Sequence, residues 1–353
     1  MYNRRKARIV KVGNIAIGGD LPITVESMAN SKTADAAATV AQIKALAAAG
    51  CEMLRLAVNH TEALEGFKEI RRLVPDYPLI ADIHFDYKLA IASIEAGADK
   101  IRINPGNIGG GDAVQAVVLA AKKRGIPIRV GVNSGSLEQE ILDRHGGVTA
   151  EGLAESLLGT VRMLENMGFD NIVASMKSSS VPMTIAAHEI FADMTDYPMH
   201  IGITEAGTLF GGTIKSVAGL SSLLTRGIGD TLRISLTADP VEEVKAAREM
   251  LQALKIRSFK PEIISCPTCG RTEVDLFSIA QEVEKRMAGL TAPISVAVMG
   301  CVVNGPGEAR EADIGVACGR GSGMIFKKGE PLYKVEESEI VGALLAEIEK
   351  MID

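Results

Sequence analysis

The sequence predicts a (β/α)8 barrel followed by a smaller α/β domain, and three observations predict it. From residue 22 one unit recurs: a short β-branched run, a polar loop, an Ala/Leu-rich helical stretch, then Gly, Pro or Asp before the next run. It recurs eight times before the rhythm breaks near "LQALKIRSFKPE". The composition is 47% apolar but only 4% aromatic, with no Trp, which fits helices packed closely on a parallel sheet.

The runs are "PITVESMA" (22–29), "EMLRLAV" (52–58), "PLIADIH" (78–84), "DKIRIN" (99–104), "PIRVGVN" (127–133), "DNIVASMK" (170–177), "PMHIGIT" (198–204) and "DTLRISL" (230–236). Helical patterns at 35–49, 61–73, 112–124, 151–167 and 239–254 lie between or after them, several ending in "AAG", "KRG" or "NMG" stops. A doubly wound sheet also alternates in this way, but eight βα units match a barrel better. The barrel is expected over 1–255. A second domain is expected over 262–353, which holds four of the five cysteines, Gly-rich turns and a final helical stretch, "SEIVGALLAEIEK".

A formal net charge of -6 provides no basic footprint for nucleic acid, and no polybasic run or basic amphipathic helix points to a membrane surface. The N-terminus "MYNRRKARIVKVGN" is basic but lacks the apolar stretch of a signal peptide. No segment approaches the roughly 18 apolar residues of a membrane span. A cytoplasmic protein is expected, whose five cysteines are not a disulfide framework.

Barrel enzymes work at the C-terminal ends of their strands. Those ends carry Arg55, Asp82 and His84, Arg102 and Asn104, Arg129 and Asn133, Lys177, Glu205, and Arg233 and Ser235. Even spacing puts Arg102 with Asn104, Arg129 with Asn133, and Arg233 with Ser235 on one face of each strand. A single Arg could be an internal partner of Glu26 or Asp82. Four Arg and a Lys on five strands imply an anion supplied from outside, because unpaired buried charge is expensive and forked donors suit phosphate. A diphosphate is the expected substrate class. "NPGNIGGGD" could lend backbone N–H groups to it, although a plain turn explains the glycines equally well. His84, beside Asp82, is a candidate catalytic residue, and Glu205 among so many cations is a candidate proton donor.

In the second domain, Cys266 and Cys269 form a C-x2-C pair and Cys301 lies 32 residues further on. Three readings stand: structural zinc with Cys318 as fourth ligand, a dithiol redox pair, and an iron-sulfur cluster. An anion site coupled to a redox centre points to reductive chemistry on a phosphorylated molecule.

"RINPGNIG", "VGVNSGSL", "GITEAG", "CPTCGR" and "GCVVNGPGEA", with "ADPVEEV" after the last strand, resemble the 4-hydroxy-3-methylbut-2-enyl diphosphate synthase family of the non-mevalonate isoprenoid pathway. The resemblance runs from about residue 8 to the end. It implies a [4Fe-4S] cluster held by Cys266, Cys269 and Cys301, with Glu308 as the fourth, exchangeable ligand. Cys318 and Cys51 are then buried apolar residues. The implied reaction is the reductive ring opening and dehydroxylation of 2-C-methyl-D-erythritol 2,4-cyclodiphosphate, using two electrons from flavodoxin or ferredoxin. The anion contacts map onto Arg55, Arg102, Arg129, Asn133, Lys177, Arg233 and Ser235. Glu205 is the acid for the departing hydroxyl, and Asn304 contacts substrate near the cluster. Two departures stand out: "ESMAN" where relatives usually have "QSMTN", which puts Glu26 near the phosphate site, and "KSSSV" where many have "KAS". A phosphate-ligand sensor, or a pterin- or sugar-phosphate transferase, each with structural zinc, is the alternative.

A homodimer with a shared active site is also expected. The last barrel helix, 239–254, spans about 24 Å and carries the chain away from the strand ends that bind substrate. The linker of about eight residues reaches roughly 26 Å, too little to travel back around the barrel. Each chain's cluster domain would therefore cap the partner's barrel, as the resemblance also implies.

Overall fold

In the computed structural model of this chain, which describes residues 4–301, 307 and 310–352, the first element is an antiparallel hairpin. Its strands, β1 (Val10–Val12) and β2 (Ile15–Ile17), turn at Gly13, whose φ of 58° suits glycine. Val10, Val12 and Ile17 pack on Met53, Ile80 and Val173 from the starts of three later strands. The hairpin thus plugs the N-terminal end of the barrel those strands belong to.

Strands and helices then alternate: β3 (Thr24–Met28), α1 (Ala36–Ala48), β4 (Met53–Ala57), α2 (Thr61–Leu73), β5 (Leu79–Asp82), α3 (Tyr87–Glu95), β6 (Lys100–Ile103), α4 (Gly110–Arg124) and β7 (Ile128–Asn133). After two helices, α5 (Gln139–His145) and α6 (Ala150–Asn166), come β8 (Ile172–Lys177), α7 (Val181–Met194), β9 (His200–Ile201), α8 (Leu209–Thr225), β10 (Thr231–Leu232) and α9 (Pro240–Ala253). The strands are parallel, in the order β8-β7-β6-β5-β4-β3-β10-β9, and the bridge Ala174–Met199 joins the two ends. The predicted (β/α)8 barrel is the fold of this unit. Asp35, Asp86, Thr149, Ser180 and Asp239 accept backbone N–H bonds at helix starts, worth about 1 kcal/mol each. At α7 the "KSSSV" stretch builds the cap, since Ser178 Oγ accepts from Ser180 N at 3.1 Å.

Two strands are shorter than their predicted runs. Beyond Ile201 and Leu232 the ladder gives way to loops that carry Glu205 and Arg233, although Arg233 N still donates to Ile201 O at 3.0 Å. Gly202 explains the crowding: a Cβ there would lie 2.8 Å from the Arg233 carbonyl and 2.9 Å from Lys177 Nζ. The basic N-terminal segment straps this sparse seam. Arg4 pairs with Asp230 at 2.9 Å, Arg5 donates to the carbonyls of Ala192, Thr195 and Tyr197, and Arg8 pairs with Asp196 at 2.6 Å.

The barrel interior is charged. Glu26, 1% exposed, accepts from Arg129 Nη1 at 2.8 Å and Lys100 Nζ at 3.1 Å. Burial opposes its charge, but Arg129 and the other neighbouring cations hold the carboxyl well below its ordinary range. Burial likewise pulls Lys100 down to about 8 and Arg129 to about 10, so both stay charged near neutrality.

The chain divides at Arg257 and Ser258 into two units. The second is a five-stranded sheet in sequence order: β11 (Glu262–Ser265), β12 (Ser295–Met299), β13 (Ile314–Gly319), β14 (Ser322–Lys327) and β15 (Glu330–Glu336). The first three strands are parallel and the last two pairings antiparallel. Helix α10 (Leu276–Met287) and the terminal helix Ile340–Ile352 share a core with Val296, Val298, Ile314 and Val316. Among the described residues no helix is long and apolar enough to cross a membrane.

Glu26→Ala should strand two buried cations and lower barrel stability by about 3–5 kcal/mol in denaturant unfolding. Adding Lys100→Met should recover part of that loss, and no recovery would mean that the two residues are not coupled. The sign with pH follows from the lowered carboxyls of Glu26 and Asp82. Their stabilisation is complete above the unfolded carboxylate range near pH 4 and disappears as pH falls through the lower folded values.

Candidate active site

Toward the C-terminal mouth of the barrel the structure gathers Arg55, Arg102, Lys177 and Arg233, while Arg129, the second residue of β7 and 1% exposed, lies deeper than the strand-end reading expected, with Lys100 on the same buried Glu26. Parallel register puts Arg102 opposite Arg129 and Asn133 opposite Lys177. Each arginine has a carboxylate partner. Asp82, 2% exposed, takes Arg102 Nη1 at 3.1 Å and lies 3.6 Å from Arg55 Nε. Burial opposes the Asp82 charge, yet Arg55 and Arg102 keep its carboxyl below the ordinary range. Glu243, from α9, accepts from Arg233 through both oxygens at 3.1 Å, from Ser27 Oγ at 3.1 Å and from Leu236 N at 2.9 Å.

Sequence reasoning missed Lys100 and Glu243. Lys100 had a signal, since its spacing of two from Arg102 puts it on the same strand face. Glu243 had none at the strand ends, because a helix supplies it. The expectation that these arginines wait for an outside anion to pair them needs correcting: each is paired internally. Among the described residues, Arg55, Lys100, Arg102, Arg129 and Arg233 still share only three carboxylates, Glu26, Asp82 and Glu243, so the interior keeps a positive excess of two before Lys177 is counted. Pairing also leaves donors over. Arg129 Nε is buried with no hydrogen-bond partner among the described residues, and Arg55 Nε has only the 3.6 Å approach to Asp82.

Around the rim, Ser235 is half-buried after β10, and Asn104 Oδ1 accepts from Gly106 N at 3.1 Å, so this side chain holds the "NPGN" turn. His84 is half-buried past β5, near Asp82, with its ring 6.1 Å from that of Phe85. Glu205 is exposed on the loop after β9, and its φ of 52° is a left-handed conformation rarely held by a residue other than glycine. Such strain is typical of functional loops and costs roughly 1–3 kcal/mol.

In the second unit, Cys266 follows β11 and Cys301 follows β12, so adjacent parallel strands deliver both to one sheet edge. Gly300 N donates to Cys266 Sγ at 3.2 Å, and Glu273 N bonds to Gly300 O at 3.3 Å, tying the C-x2-C loop to the end of β12. Backbone and side-chain hydrogen bonding from Arg271 lowers the exposed Cys269 thiol. Paired strand-end thiols with N–H groups aimed at sulfur fit a thiolate-bound metal centre, iron-sulfur or zinc. Among the described residues no three His, Cys, Asp or Glu gather closely enough to hold a metal ion. Glu308 and Asn304 lie outside the described residues. Cys318 is enclosed in the core, where burial pushes its thiol up to about 12, and Cys51 is buried with its thiol at about 11. Neither is a ready thiolate.

The family model described as the GcpE TIM-barrel domain matches residues 7–248, and that of the GcpE protein C-terminal domain matches residues 262–350. A 4-hydroxy-3-methylbut-2-en-1-yl diphosphate synthase (flavodoxin) of Geobacter sulfurreducens is 56% identical over 349 residues, covering 99% of each chain. Its namesake from Caldanaerobacter subterraneus subsp. tengcongensis is also 56% identical, over 99% of this chain and 98% of its own. Among solved structures, dihydropteroate synthase of Stenotrophomonas maltophilia matches 70% of this chain and 97% of its own, with a TM-score of 0.52 at 15% identity. That last likeness is one of fold alone.

Glu243→Asp keeps the carboxylate charge but shortens its reach to Arg233. Calorimetric binding of inorganic pyrophosphate should weaken about tenfold, the scale of one charged hydrogen bond. Unchanged affinity would show that Arg233 needs no anchor on α9.

Proposed function

The chain belongs to the family of 4-hydroxy-3-methylbut-2-en-1-yl diphosphate synthases, and from that premise we propose that its barrel binds 2-C-methyl-D-erythritol 2,4-cyclodiphosphate for reductive ring opening and dehydroxylation. The observation that carries this reading is the positive excess inside the barrel mouth, which a bound diphosphate neutralises. The arginines keep their guanidinium planes fixed by carboxylates and present their remaining donors to phosphoryl oxygens. Asn133, Lys177 and Ser235 complete the contacts, and His84 stands beside them. Dihydropteroate synthase shares only the fold, and no feature favours the sensor or transferase alternative with structural zinc.

Cys266, Cys269 and Cys301, with Glu308, would hold a [4Fe-4S] cluster; when bound, it would pass on, one at a time, the two electrons from the external donor that reductive dehydroxylation needs. The name the relatives carry makes flavodoxin, rather than ferredoxin, the donor to test first. Glu205 gives its proton to the departing hydroxyl, and the strained backbone beneath it fixes where that proton is presented. Asn304 would contact substrate near the cluster.

A homodimer completes the site in this reading. Arg257 Nη1 donates to Ile23 O at 2.7 Å and pairs with Glu52 at 2.8 Å, residues just before β3 and β4. The chain therefore leaves the barrel at the N-terminal ends of its strands, opposite the cationic mouth. Ser258 to Pro261 add about 14 Å at most before β11. The cysteines that serve a given barrel are then those of the partner chain.

Anaerobic turnover of the cyclic diphosphate with reduced flavodoxin tests the reaction; binding without any product from brown, cluster-loaded protein would refute it. Glu205→Gln should retain substrate binding while kcat falls about 10²- to 10⁴-fold. Arg102→Ala should instead weaken binding first, by about 1.5–3 kcal/mol. Wild-type turnover in Glu205→Gln would assign the proton to another group.

Mixing inactive Cys266→Ser with inactive Glu205→Gln under conditions of subunit exchange should restore activity, because each hybrid holds one site with both defects and one with neither. Hybrids that form and stay inactive would rule out a shared site.

A further inference from the structure

Of the six basic side chains described inside the barrel, five have a carboxylate oxygen within 3.6 Å. Lys177, the last residue of β8, is the exception: among the described residues it makes no hydrogen bond and no ion pair. Its position is built rather than incidental, since its Nζ and Cε occupy space that a Gly202 Cβ would crowd at 2.9 and 3.1 Å. Arg55 of β4, Arg129 of β7 and Arg233 after β10 surround the amine. Glu26 of β3 faces it but is already engaged by Lys100 and Arg129. Asn133 is neutral, and burial holds His188 of α7 and His200 of β9 neutral, the former at about 4. Burial, then the charges of Arg55, Arg129 and Arg233, hold the Lys177 ammonium well below its ordinary range, with only Glu26 opposing.

The reaction changes the charge of the ligand. Two electrons and one proton convert the ring form into the open diphosphate and water. The proton leaves with the departing hydroxyl, while the bonding pair of the broken C–O bond stays on a phosphoryl oxygen. The open diphosphate therefore carries one more negative charge than the ring. We propose that Lys177 adjusts the charge of the site to its ligand: a free amine in the ligand-free protein, it takes a proton from solvent as a diphosphate binds and holds it against the additional ionised oxygen of the open form. The role in ring opening rests on the function proposed above; the proton uptake rests on the enclosure of Lys177 beside Gly202 with no carboxylate of its own, and on the neighbouring arginine charges. A lysine among other cations is the kind of amine whose protonation a bound anion reverses.

Calorimetry of inorganic pyrophosphate binding in buffers of different ionisation heat counts the protons taken up. At mildly alkaline pH the wild-type protein should take up about one proton more per bound pyrophosphate than Lys177→Arg, which stays charged throughout. Equal counts in two proteins that both bind would overturn the proposal. If Lys177→Arg fails to fold or bind, reductive methylation of the ligand-free wild-type protein at neutral pH decides. Peptide mass spectrometry should find Lys177 modified ahead of surface lysines such as Lys123, and pyrophosphate should protect it; labelling no faster than at Lys123 would overturn the proposal. Neither measurement needs turnover. A failure of the reductase reading would appear separately, as no product from the cyclic diphosphate with reduced flavodoxin.

Discussion

The carboxylate of Glu26, enclosed beneath the mouth of the barrel and bonded to both Lys100 and Arg129, is the interaction on which the rest of the site depends. A barrel interior is a poor place for guanidinium groups, because uncompensated buried charge is disfavoured by several kcal/mol. One acid that serves two cations lets the next layer be cationic as well. Asp82 repeats the device for Arg55 and Arg102, and Glu243 anchors Arg233. The protein therefore keeps a site that attracts anions without building a core that repels itself apart.

Sharing acids also orders the donors. A guanidinium that has surrendered one or two N–H groups to a carboxylate can turn very little, so its remaining N–H groups point in set directions before any ligand arrives. The same carboxylates reduce the raw field at the mouth. Fewer net charges, each in a fixed place, favour orientation over simple attraction, and orientation is what a reaction at one C–O bond requires.

Much of this was legible in the sequence because β-strands alternate their faces. Arg102, Arg129 and Lys177 stand near the ends of apolar runs, and recurrence of the unit was enough to predict a barrel. What could not be read came from outside that alternation. Glu243 reaches Arg233 from a helix, where charged residues ordinarily mark a solvated face. The shortness of β9 and β10 follows from the approach of the Arg233 carbonyl to Gly202, a close contact that a β-branched run does not announce. Glu26 was visible, but as a departure from the pattern of relatives. Its place as the shared partner of Lys100 and Arg129 emerges only when three strands are set side by side.

The strap across the barrel seam bears on how the protein is made. Arg4 meets Asp230 across 226 residues, and Arg5 and Arg8 meet partners nearly as distant. This segment, which precedes every strand of the barrel, is therefore among the last to find its native contacts. Until the stretch from Ala192 to Asp230 emerges, the basic segment lacks its native carbonyls and acids, and until β9 and β10 follow, the edges of β3 and β8 stay open. Closure is thus a late event of high contact order, reached after most of the barrel has been synthesised. A seam joined by two short strands and a basic strap makes a stretch ahead of the barrel the latch on the barrel's last strands.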